Sequence, residues 1–152
     1  MSNATLFETL RESHEIQRTL CRQLVLAKKD MAKRESIFMD LKVELEAHAA
    51  AEERFLYAVV LMDDAGLSSS RHALAEHHEI EEQLEDMSVR DKSTDAWLEK
   101  ARELGKTVRH HLKEEETKFF QLCGRILSDK EKKTLTKKYE KDLKRMRKKL
   151  AS

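Results

Sequence analysis

His48-Ala-Ala-Ala-Glu52-Glu53-Arg-Phe55-Leu56-Tyr57 and His111-Leu-Lys-Glu-Glu115-Glu116-Thr-Lys-Phe119-Phe120 are the two stretches whose reading decides the fold. Both run His, three residues, Glu-Glu, two residues, then an apolar pair. On an α-helix a four-residue step turns about 400°, so positions i and i+4 stack on one face roughly 6 Å apart. Each stretch therefore aims an imidazole and a carboxylate at one spot. Upstream of each lies a second His string, Ser13-His14-Glu15-Ile16 and His77-His78-Glu79-Ile80. From His14 to His48 is 34 residues, and from His78 to His111 is 33. The chain reads as two copies of one helix hairpin, each bringing the same polar kit.

Apolar spacing extends those pairs into helices. Thr5-x-x-Glu8 has capping-box form. It opens a first helix to about Lys28, with Leu6, Leu10, His14, Gln17, Cys21 and Leu24 on one face. A second starts near Ser36 and carries Leu41, Leu45, His48, Glu52, Phe55 and Val59. It is expected to end at Asp63-Asp64-Ala65-Gly66, with Gly66 in the left-handed C-terminal position. Ser68-Ser69-Ser70 caps a third with Leu74, His77, Ile80, Leu84 and Met87. Ser93-Thr94-Asp95 restarts a fourth with Leu98, Ala101, Val108, Leu112, Glu115, Phe119 and Ile126. Ser128-x-x-Glu131 opens a fifth with Leu135, Tyr139, Leu143, Met146 and Leu150. Short connections favour antiparallel neighbours. The expectation is an all-α, up-down-up-down four-helix bundle over residues 1–128, followed by an additional C-terminal helix over 129–152.

Composition agrees. Among 152 residues there are no prolines and 3 glycines, too few breakers for a turn-rich β fold. The 30 basic and 29 acidic residues leave a net charge of +1, which excludes a uniformly basic nucleic-acid binder. The balance is uneven, however. From Asp129 to Leu150, eleven Lys or Arg and four Asp or Glu give +7, and subtraction leaves −6 elsewhere. A solvated face on a helix docked to an acidic bundle accounts for this better than a nucleic-acid or membrane arm. No apolar run approaches a membrane span, and the N-terminus lacks a signal-like apolar stretch. Cys21 and Cys123 form no CxxC pair and suit buried thiols in a reducing compartment. The expected location is cytoplasmic, with no nucleic acid or membrane as partner.

Burying an unpaired carboxylate costs several kcal/mol, so Glu52 and Glu115 in apolar stripes need a compensating cation. His14, His48, His77 and His111 reach inward from four helices. That set suits two metals bridged by two carboxylates better than one. Mixed imidazole and carboxylate ligation favours iron, with manganese or zinc fitting less well. Between His77 and His78, aligning the repeats favours His78 but the apolar stripe favours His77, because ligation requires pointing inward. By the same test His110 and His72 lie on the surface. Glu53 and Glu116 are placed to orient imidazoles from outside. Trp97 is a packing residue.

These motifs resemble the hemerythrin family, the His-His-Glu cation-binding domain, over about residues 5–127. The resemblance implies a four-helix bundle around a non-haem di-iron centre. Its ligands would be His14, His48, Glu52, His77, His111 and Glu115, with Glu52, Glu115 and a solvent-derived oxygen bridging the irons. The chain departs from the oxygen carriers on the third helix, where they have a second His four residues from the first. Here Ala73 and Glu81 flank His77 at that spacing. The result is an open iron position or a third carboxylate at Glu81. Tyr57 is a candidate hydrogen-bond donor to a bound oxygen species, and Phe55, Phe119 and Phe120 are candidate walls against water.

The expected activity is that of a protein binding O2 or a related small ligand, for oxygen binding or O2, NO or redox sensing. The alternatives are an enzyme acting on peroxide or NO, and an iron-homeostasis protein. No nucleophile–base arrangement or phosphate loop is present.

Overall fold

Five polar side chains set where the helices begin. The computed structural model describes residues 5–27 and 30–152. The Thr5 hydroxyl accepts from the Glu8 amide and opens α1, Leu6–Leu26. Lys28, the expected end of this helix, lies outside the described residues. Asp30 accepts from the Lys33 amide at 3.1 Å and opens α2. It starts at Met31 rather than near Ser36, because the Asp30 carboxylate supplies a cap one turn earlier. Asp63 caps α3, Asp64–Met87, and Thr94 caps α4 at the Trp97 amide, 3.0 Å. Ser128 and Glu131 form a reciprocal capping box on α5, Asp129–Ala151. Each cap contributes about 1 kcal/mol. No strand occurs among the described residues.

Two expectations fail together at the α2–α3 corner. Gly66 does not terminate α2; it is buried inside the first turns of α3. Ser68-Ser69-Ser70 likewise lies within α3, since Asp63 has already capped it. Gly66 is required for close approach: a Cβ there would run into the Val60 carbonyl oxygen and come within 2.5 Å of Val60 Cγ1.

α2 and α4 share a feature that spacing did not reveal. α2 runs as Met31–Glu52, a π-helical turn Glu53–Tyr57, and Ala58–Val60. α4 runs as Asp95–Glu114, a π-helical turn Glu115–Phe119, and Phe120–Ile126. In each turn an amide reaches back five residues, Ala58 to the Glu53 carbonyl and Phe120 to the Glu115 carbonyl. The extra residue rotates the following face. Leu56, Tyr57 and Val60 are therefore buried in place of Phe55 and Val59, and Phe120 and Cys123 join Phe119.

The core is divided. One apolar cluster gathers Leu10, Ala47, Leu56, Phe119 and Phe120, and the other Leu24, Phe38, Leu41, Leu84 and Trp97. The buried polar residues His14, His48, Glu52, His77, His111 and Glu115 belong to neither cluster. Trp97 packs on Phe38, and its indole N–H donates to the Met87 carbonyl at 2.9 Å.

α5 packs along α2 and touches α1. Leu135, Tyr139 and Leu143 join the first cluster. Arg147 grips buried Glu44 with two hydrogen bonds, 2.9 and 2.7 Å, and Arg54 donates to both oxygens of Asp142 at 2.8 and 2.7 Å. Most of its Lys residues remain exposed.

Gly66→Ala is expected to lower unfolding free energy by about 1–3 kcal/mol, because the added carbon meets backbone that cannot rotate away. Chemical denaturation checks it; an unchanged midpoint would contradict the close-approach role.

Candidate metal centre

Four imidazoles and two carboxylates converge between α1, α2, α3 and α4. His14, His48, Glu52 and Glu115 form one group whose ligand atoms all lie within 4.8 Å of one another; Glu52, His77, His111 and Glu115 form a second. Glu52 and Glu115 belong to both. Glu52 Oε1 is 3.4 Å from His48 Nε2 and 3.2 Å from His77 Nε2. Glu115 Oε1 is 3.2 Å from His14 Nε2, and its Oε2 is 3.6 Å from His111 Nε2. The structure thus brings all six sequence-selected residues together, and all six are buried. His77 turns inward, whereas His78 is exposed and pairs with Glu82 at 2.7 Å.

Proximity here is not hydrogen bonding. His14 Nε2, His48 Nε2, His111 Nε2, both Glu52 carboxylate oxygens and Glu115 Oε1 are buried with no partner of hydrogen-bond geometry among the described residues. Buried polar atoms are nearly always satisfied, and so many orphans facing one point form a donor set without its acceptor. Nitrogen and carboxylate oxygen in this mixture fit first-row transition ions. The donor set therefore fits a pair of metal cations.

Each imidazole is held from behind through Nδ1. His14 Nδ1 lies 2.7 Å from Glu116 Oε2, and His77 Nδ1 2.7 Å from Glu53 Oε2. The duplicated hairpins thus exchange supports: the second Glu of each motif holds the first-helix His of the other copy. His111 Nδ1 is 2.9 Å from Glu76 Oε1, and His48 Nδ1 is 2.7 Å from the Tyr139 hydroxyl. Holding each ring through Nδ1 leaves its Nε2 edge facing the centre. Glu116 is itself clamped by Arg18 at 2.8 and 3.1 Å. Sequence reading found Glu53 and Glu116 but missed Glu76 and Tyr139. Tyr139 sits in the apolar stripe of α5, and nothing in that pattern marks its hydroxyl.

The charges respond to this crowding. Burial opposes ionisation of Glu52, but His48 and His77 outweigh it and hold its carboxyl well below the usual range. Burial and the adjacent Glu52 charge push Glu115 up. Burial would lower both first- and third-helix imidazoles. Glu115 and Glu116 nevertheless carry His14 up to about 9, and Glu52 and Glu53 carry His77 up to about 10. Glu116 falls to about 2, since His14 and Arg18 overcome its partial burial.

On α3 neither residue at the flanking spacing supplies a ligand atom to the two groups. Ala73 is buried in the apolar cluster, and Glu81 is exposed. Instead the Tyr57 hydroxyl, carried inward by the α2 π turn, donates to Glu115 Oε2 and lies 3.2 Å from His77 Nε2. Burial and the Glu115 charge raise this phenol well above its ordinary pKa, so it stays protonated. Phe119 meets Tyr57 edge-on at 5.2 Å and Phe120 stacks on His14 at 5.6 Å. Phe55 is only half-buried. A cavity of about 360 Å³, lined in part by Gln17, Leu45 and Ile80, reaches His48, His77 and His111. Cys21 and Cys123 are free and buried; burial pushes Cys21 up to about 11 and Cys123 further, so neither is a ready thiolate.

Comparison with known proteins places this geometry. The family model for the hemerythrin HHE cation binding domain matches residues 5–123, and the chain belongs to that family. Its fold is similar to the crystal structure of a hemerythrin HHE cation binding domain-containing protein from Mycobacterium kansasii. That protein is 23% identical, with a TM-score of 0.85 over 98% of this chain and 90% of the other. No curated protein matches the sequence.

His14 and His77 are protonated at pH 7 in the metal-free chain, whereas a metal takes neutral imidazole. Adding ferrous or zinc ion at pH 7 is therefore expected to release protons, readable by calorimetry in buffers of different ionisation enthalpy. The same raised values stabilise the metal-free fold fully below the unfolded value of 6.5, and that contribution is lost as pH rises through 9 to 10. Metal binding with no proton release would contradict this charge assignment.

Proposed function

We propose that this member of the hemerythrin HHE family holds two non-haem iron ions and binds O2 or a related small ligand such as NO, as a cytoplasmic oxygen-binding or sensing protein. The observation that carries the reading is the double set of buried, unpartnered imidazole and carboxylate atoms sharing Glu52 and Glu115. His14 and His48 would hold one ion and His77 and His111 the other. When bound, the irons supply the redox change and the coordination position that a small ligand takes.

The chain's own residues do the rest. Glu116, Tyr139, Glu53 and Glu76 fix the four rings, so each Nε2 is aimed before a metal arrives. Phe119 and Phe120 exclude water on one side, while the cavity at His48, His77 and His111 admits a small molecule. Tyr57 holds a proton beside Glu115 and His77.

That phenol is also the one observation favouring an enzymatic reading, turnover of peroxide or NO, because a buried protonated hydroxyl is a ready proton donor.

Anaerobically purified protein is expected to contain about two irons per chain and to develop a reversible charge-transfer band in air. Neither iron nor manganese, after expression with both available, would overturn the reading. Oxygen evolution from peroxide far above that of free iron, falling on the order of a hundredfold in Tyr57→Phe, would select the enzyme instead.

A further inference from the structure

Three His-x3-Glu pairs carry histidines that the buried centre does not use, and two of them, His72 with Glu76 and His110 with Glu114, lie side by side on neighbouring helices. The spacing is that of the interior pairs, so each stacks an imidazole and a carboxylate on one helix face. His72 and Glu76 are on α3, His110 and Glu114 on neighbouring α4. The pairs meet across the helices. His72 Nε2 is 3.0 Å from Glu114 Oε1 and 3.6 Å from Glu76 Oε2. His110 Nε2 is 3.1 Å from Glu114 Oε2 and 3.9 Å from Glu76 Oε2. Ligand atoms of His72, Glu76 and Glu114 all lie within 4.8 Å of one another.

We propose that His72, Glu76, His110 and Glu114 form a second, solvent-facing site for one divalent first-row transition ion, separate from the buried centre. Two imidazoles and two carboxylates from two rigid helices supply the borderline ligand chemistry that such ions take. Both histidines are exposed while the carboxylates are partly sheltered, 13% and 25%, so an ion can come and go without unfolding the bundle. Glu76 faces both ways: Oε2 looks to the outer cluster, while Oε1 holds His111 Nδ1 at 2.9 Å. Glu76 thus links the two sites without belonging to the inner ligand set, and the outer ion would sit directly behind the His111 imidazole.

His78 and Glu82 provide an internal control. They too are a His-x3-Glu pair on α3, 2.7 Å apart and exposed, but among the described residues no histidine or carboxylate from a second helix is paired with them. Two ligands from one turn are not enough to hold an ion firmly.

The test is equilibrium dialysis of the full chain against cobalt(II), with ions counted per chain in the wild type, His72→Ala/His110→Ala and His78→Ala. The double variant is expected to bind one ion fewer than the wild type, and His78→Ala the same number. Histidine side-chain NMR with zinc should shift the His72 and His110 signals and leave His78 in place. Equal counts in wild type and double variant would overturn the proposal. So would loss of more than one ion, which would mean the exposed histidines serve the buried centre. The comparison is a difference, so it reads the outer ion whether or not the inner set is filled.

Discussion

Two buried carboxylates that cannot both be comfortable in an apolar bundle set the terms for everything around them. Glu52 and Glu115 sit between the two apolar clusters, close enough for each to feel the other's charge. Left alone, a pair of this kind would cost more than a 152-residue domain can spare. Four imidazoles turn toward it, and several of the resulting nitrogen and oxygen atoms are left without a hydrogen-bond partner among the described residues. The caps, the π turns and the docking of α5 are intelligible as means of holding these six side chains in register.

The support from outside is as organised as the ligands. Glu53 and Glu116 are exchanged between the two hairpins, so neither copy can orient its own first histidine. The symmetry then breaks. His111 is held by Glu76, the neighbour of His77, while the corresponding neighbour of His14 is Ser13. Ser13 turns instead to Glu44, and His48 takes its partner from the fifth helix, at Tyr139. The basic helix is thereby tied to the centre: it carries a hydroxyl to one imidazole and an arginine to Glu44. Its positive charge is largely solvated surface.

Much of this was legible in the residues. Duplicated His-x3-Glu spacing set within apolar stripes marks the faces that point inward, and the stripe of α3 separates His77 from His78. Three things escaped, each for a physical reason. A π turn changes the register by one residue and leaves no compositional mark, so Phe55 and Val59 were placed in the core where Leu56, Tyr57 and Val60 stand. Gly66 looked like a helix terminator, but glycine also serves where two backbones meet, and only the neighbouring Val60 distinguishes the cases. Tyr139 and Glu76 act across helices, a relation that periodicity within one helix cannot express. The absent second histidine of α3 was visible at once. That the Tyr57 hydroxyl reaches His77 depends on the π turn and was not.

The central claim is that metal cations complete the polar interior, so that metal binding adds to the stability of a bundle already folded without them. Calorimetric melting under argon, with ferrous ion added in steps to metal-free protein, tests it most directly. The melting temperature should climb by roughly 10 °C, as expected when ligand exceeds its dissociation constant about a thousandfold, and level off near two equivalents. A melting temperature indifferent to iron would mean that the imidazoles and carboxylates satisfy one another unaided, and the account would fail at its foundation.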